Sequence, residues 1–92
     1  MKKRDELLLQ INNLIVNKNA KLIEFTYYKK VFGNVVVKIE FNNSLHEFII
    51  DRSDIYYNFN NVSQLICTNV DYKIENYDRY EKLIETIDKS LK

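Results

Sequence analysis

His46 and Cys67 are each the only residue of their type in this 92-residue chain, and they are where a base, a nucleophile or a metal ligand would be sought first. A cysteine nucleophile needs a neighbouring base to hold it as thiolate, and there is no second histidine to serve a separate metal or acid–base role. His46 is followed by Glu47, but neighbouring residues of a strand point to opposite sides of a sheet, so this carboxylate cannot orient the imidazole. His46 therefore reads as a packed rim histidine between Phe41 and Phe59, and Cys67 as a small buried hydrophobe. Asp51 and Asp54 face each other across a turn. Two carboxylates fall short of the oxygen set a calcium loop supplies, and both read as turn formers. No stretch matches a catalytic, nucleotide or metal motif, so the expectation is a non-enzyme with no catalytic residue, no cofactor and no metal.

Lys29 and Lys30 follow Tyr27 and Tyr28, the mixture on which single-stranded nucleic acids stack. The ribonucleoprotein-type motif is missing, and Glu24, Glu40 and Glu47 lie nearby to repel phosphate. Overall charge is balanced, with fourteen basic and thirteen acidic residues. The halves differ: residues 1–46 hold eight Lys or Arg against four Asp or Glu, and residues 47–92 hold six against nine, or about +4 and −3. A nucleic-acid-binding or regulatory protein using Lys2, Lys3, Arg4, Lys18, Lys21, Lys29 and Lys30 is the alternative reading.

These residues sit on a chain dominated by alternation. Ile23, Phe25 and Tyr27 form the inward set of a first run. Val35, Val37, Ile39 and Phe41 form that of a second, Phe48 and Ile50 of a third, and Ile55, Tyr57 and Phe59 of a fourth. Period two over four runs predicts an antiparallel meander with one buried face. Residues 62–67 follow the turn signal Asn60-Asn61 and read as a short fifth strand, with one helical turn as the alternative. Leu7, Leu8, Ile11, Leu14 and Ile15 recur at helical spacing with Asp5 and Glu6 in the first turn, predicting an amphipathic helix over 3–17 that stops at Asn17-Lys18-Asn19. A second helix begins at an Asn76 cap and carries the stripe Tyr77, Tyr80, Leu83, Ile84, Ile87 and Leu91, with Arg79, Glu81, Lys82, Glu85 and Lys89 on a solvated face. Ile74 tucks under it. The expected fold is a two-layer α+β single domain over 1–92, in the order α-β-β-β-β-(β)-α.

Turn chemistry then sets an expected register. A three-residue loop at Phe32-Gly33-Asn34, a two-residue turn at Asn43-Ser44 and a four-residue turn over 51–54 give the inner rows Tyr27-Ile39-Phe48-Tyr57 and Phe25-Phe41-His46-Phe59, with Val37-Ile50-Ile55 beside them. The outer rows become Tyr28-Lys38-Ile49-Tyr56 and Thr26-Glu40-Glu47-Asn58. A sheet face open to water normally carries Thr, Lys, Glu and Arg, so two tyrosines and an isoleucine in one row either mark Tyr28, Lys38, Ile49 and Tyr56 as the candidate partner-binding residues or mean that the first or last helix crosses this face.

Asn, Lys, Ile and Tyr are abundant while Pro and Trp are absent, a bias matching AT-rich codons and hence a low-GC bacterium, one of its phages or a similar genome. The lone cysteine, an N-terminus whose apolar stretch polar residues soon interrupt, and the lack of an 18-residue apolar run make cytoplasmic the expected location, without membrane contact. The functional expectation is a small module that binds another protein, of the host cell, in the manner of phage or mobile-element accessory proteins that inhibit a host defence, such as anti-CRISPR proteins. A homodimer through the same face or an open sheet edge is a further expectation.

Overall fold

The computed structural model of the chain describes residues 3–52, 54–67 and 78–92. Helix α1 (Lys3–Val16) is followed by strands β1 (Lys21–Tyr28), β2 (Asn34–Phe41), β3 (Ser44–Asp51), β4 (Asp54–Phe59) and β5 (Val62–Cys67), then by helix α2 (Arg79–Ser90). The strands form one antiparallel meander in the order β1-β2-β3-β4-β5. This is the α+β architecture the alternation and the two amphipathic stretches predict, fifth strand included. No helix among the described residues is long and apolar enough to cross a membrane.

Both helices lie on one face. Leu7, Ile11 and Ile15 of α1 and Leu83, Ile87 and Leu91 of α2 share a buried cluster with Val35, Val37, Ile39, Phe48, Ile50 and Ile55. Each of these side chains contributes about 1.5–3 kcal/mol through burial. The helix pair meets the sheet mainly at β1 and β3, and neither helix crosses the other face.

The turns explain how the register departs from expectation. Asn42 and Asn43 both have positive φ, as do Asn60 and Asn61. A two-residue hairpin with both central residues left-handed matches the twist of its strands, and asparagine tolerates that region far better than serine does. The β2–β3 turn is therefore Asn42-Asn43, with Phe41 opposite Ser44, not Asn43-Ser44. A turn displaced by one residue moves the pairing by two, so each face keeps its residues while the partners change. Val37, not Ile39, lies opposite Phe48, and Ile39 lies opposite His46.

The first hairpin differs more. Residues 29–33 form a five-residue loop, Phe32 and Gly33 both take positive φ, and Tyr27 faces Val35 rather than Ile39. Asn34 is drawn into β2 because its side chain accepts a bond from the Arg52 N–H at 2.7 Å and donates to Asp51 at 3.3 Å. The loop is also held from α2. The Tyr80 hydroxyl donates to the Gly33 carbonyl at 2.7 Å, and the Arg79 guanidinium donates to the Phe32 and Arg52 carbonyls. Arg79 thus ties two turns to the start of α2 instead of lying on a solvated face.

Three smaller corrections concern ends and edges. A bulge between Leu22 and Glu24 sends Leu22 inward and leaves Ile23 half exposed, reversing the expected orientation. Asp51 and Asp54 are the last cross-strand pair of β3 and β4, so the expected four-residue turn is shorter, and Ser53 lies outside the described residues. The α2 cap is Asp78, whose carboxylate accepts from the Tyr80 and Glu81 N–H groups, and not Asn76. Asn76, Tyr77 and Ile74, with Lys2, lie outside the described residues. The β3–β4 pairs Phe48–Tyr57, Ile49–Tyr56 and Ile50–Ile55 are as expected.

Candidate functional site

The outer face is built from the alternate residues that the core does not use. Its middle row runs Thr26, Val36, Ile49, Tyr56, Leu65 across all five strands. The expected row Tyr28-Lys38-Ile49-Tyr56 does not form. All four residues do lie on this face, but only Ile49 and Tyr56 are direct partners. Tyr28 faces Asn34, one row toward the loop end, and Lys38 lies one row the other way, between Glu24 and Glu47. The place expected for Lys38 is taken by Val36. Val36 and Leu65 escaped the sequence reading because they enter the row only through the corrected β2–β3 turn and through β5.

The apolar row is bordered by a charged one. The Lys38 ammonium stands 3.7 Å from Glu24 and 3.8 Å from Glu47, and Glu47 accepts from the Asn58 amide at 2.7 Å. Such half-exposed ion pairs add little stability, about 0–1 kcal/mol each. Their effect here is to fix side chains along one flank of Ile49 and Tyr56. On the other flank, the Tyr56 hydroxyl donates to Asp54 at 3.5 Å. Partial desolvation, then the negative charges of Asp54 and Asp51, raise the Tyr56 phenol above its ordinary pKa, so the ring stays neutral throughout the physiological range. The face offers a rigid aromatic and aliphatic strip between polar borders, the composition that favours protein contacts.

His46 lies on the opposite, helix-covered side. It is buried, stacked on Phe59 with ring centroids 4.5 Å apart, and edge-on to Phe41 at 6.1 Å. The rim position between those two phenylalanines is as expected, although its cross-strand partner is Ile39. What the sequence reading missed is Tyr57, whose hydroxyl is 2.7 Å from Nδ1 and donates to that nitrogen when it is unprotonated. Burial lowers the His46 pKa, while a backbone hydrogen bond with Phe41 works against the shift. A histidine lowered in the folded state binds fewer protons there than in the unfolded chain. Its stability contribution is complete above the unfolded value of about 6.5 and is lost as pH falls through it toward the folded value. Urea titrations between pH 7.5 and 5.5 are expected to show a falling midpoint for the wild type and a flatter profile for His46→Gln.

Among the described residues, no three His, Cys, Asp or Glu side chains gather where a metal ion could sit. The backbone of Cys67 pairs with Ile55, and its side chain lies outside the described residues. Among the described residues, the basic side chains do not converge. Lys29 and Lys30 occupy the β1–β2 loop and Lys21 the opposite end of β1, while Lys18 bonds Asp88 at 2.9 Å and Arg4 bonds Asp5 at 3.0 Å. Compared with protein-family models, curated proteins and solved structures, the chain finds no match.

Proposed function

We propose that this chain is a small non-enzymatic module that docks onto another protein through the outer face of its sheet. The observation that supports this is the cross-strand row Val36-Ile49-Tyr56-Leu65 on a face neither helix covers. A face with no partner gains nothing from lining up large apolar side chains there, whereas a docking face does. The reading extends to a partner in the host cell and to an accessory protein that inhibits a host defence factor, as anti-CRISPR proteins do, acting in the cytoplasm. Small size, AT-rich coding and the lack of an evident catalytic set support that extension.

The dispersal of Lys18, Lys21, Lys29 and Lys30 disfavours the nucleic-acid reading, because phosphate binding gains from basic groups gathered along one track. The test is capture of the partner on immobilised protein, followed by a salt titration of the purified pair. A Tyr56-centred contact keeps its affinity within a few-fold between about 50 and 200 mM salt, whereas six or more phosphate contacts lose roughly a thousandfold. A captured nucleic acid with that steep slope overturns the proposal.

A further inference from the structure

The two edges of the sheet are unlike each other. β1 carries Lys21 and Glu24, its spacing is broken by the bulge at Ile23, and α1 packs against it. Charges and bulges are the devices that stop a further strand from adding to an edge. β5 reads Val-Ser-Gln-Leu-Ile-Cys, with no charged residue and no proline, and its own register shift lies at Ile66, beyond the exposed stretch 62–65. Residues 62–65 are exposed, Val62 to 65% and Leu65 to 47%. Among the described residues, no strand pairs with the outward N–H and C=O groups of β5.

We propose that β5 pairs antiparallel with β5 of a second copy of this chain, about a two-fold axis normal to the sheet at Gln64. The two meanders join into one ten-stranded sheet with all four helices on the same side. A strand paired with itself meets its own sequence reversed, so a charge on the axis faces a like charge and one beside it stands diagonally from a like charge, and β5 has none. In this register Gln64 faces Gln64 and Ser63 faces Leu65, and Val62 comes beside the bulged Ile66 of the other copy. Val62 and Ile66 both lie on the helix side, since Val62 opposes Phe59 and Ile66 packs against the core. The exposed Val62 side chain thereby gains an apolar neighbour.

On the outer side Leu65 opposes Tyr56. The two Leu65 side chains then stand diagonally across the axis, about 7–8 Å apart, within reach of each other. The docking row of one copy continues into the same row of the other, so each copy supplies half of a longer surface. That last consequence rests on the outer face being the docking face, whereas the pairing itself has its own measurement.

A single strand edge buries little surface, so association is expected on the order of 10–100 μM. Sedimentation equilibrium from about 10 μM to about 1 mM is expected to carry the mass from 11.1 kDa toward twice that value. Gln64→Lys and Gln64→Glu, at an exposed position, are each expected to weaken association at least tenfold by placing like charges opposite each other. An equimolar mixture of the two is expected to recover the doubled mass. Leu65→Lys serves as a second edge-charging variant should either fail to fold. A wild type that stays at 11.1 kDa at the highest concentration, or a Gln64→Lys variant that associates as the wild type does, overturns the pairing. A strictly monomeric wild type that still loses its captured partner on Tyr56→Ala overturns the pairing alone and leaves the docking face standing.

Discussion

Tyr56→Ala is expected to lower affinity for the captured partner by about 30- to 1,000-fold, equivalent to about 2–4 kcal/mol, as for an aromatic residue at the centre of an interface. The same change is expected to cost the fold no more than about 1 kcal/mol. The ring is half-buried and contributes chiefly through its cross-strand contacts with Ile49 and Leu65. Ile49→Ala is expected to act in the same direction with a smaller effect. Tyr28→Ala, one row away beside Asn34, is expected to change affinity only a few-fold. Binding isotherms of the purified pair, with urea midpoints measured on the same variants, separate loss of contact from loss of fold. Should Tyr56→Ala unfold the domain, Tyr56 belongs to the core and the outer face is not a surface.

The largest stability effect from a single methyl group is expected at Gly33. Its φ of +65° costs a residue with a side chain about 1–2 kcal/mol. A Cβ there would also stand 2.6 Å from the Tyr80 hydroxyl and 2.9 Å from the Arg79 guanidinium. Both side chains would have to move, and in moving would give up bonds to the Gly33 and Phe32 carbonyls, a further loss of about 1 kcal/mol or more. Gly33→Ala is accordingly expected to destabilise the domain by about 2–3 kcal/mol in urea unfolding. A loss under about 0.5 kcal/mol would mean that α2 does not hold the loop.

Those two positions mark the limits of what the sequence makes legible. Period two puts Val35, Val37, Ile39, Phe48 and Ile50 inside and Lys38, Glu47, Ile49 and Tyr56 outside, because burial on one face leaves no freedom in the alternation. Partners are another matter. They are set by turn length, and turn length in the first hairpin is set by Arg79 and Tyr80, some 47 residues further along the chain. No local pattern carries that information. The β2–β3 turn was open to local reasoning, since two asparagines accept positive φ where serine does not. The bulge at Ile23 was not, because Leu22 and Ile23 are both apolar and either could face inward.

The candidate site inherits this division. Ile49 and Tyr56 are neighbours because β3 and β4 pair in the expected register, whereas Lys38 leaves the row because β2 does not. Removing Lys38 gives the row its continuous apolar character, with Val36 in its place. His46 shows the same split, its buried rim position being readable from alternation and its bond to Tyr57 arising from the stacking of the two rings across the paired strands β3 and β4.

The central claim is that the outer sheet face meets the partner. Backbone amides of a sheet exchange slowly whether or not the face is covered, so the direct measurement is side-chain methyl and aromatic NMR on the purified complex. Shifts and contacts from the partner are predicted at Val36, Ile49, Tyr56 and Leu65, with Leu7, Ile11, Leu83 and Ile87 undisturbed. Contacts confined to α1, α2 or the loop 29–33, with the Ile49 and Tyr56 signals unchanged, would contradict it.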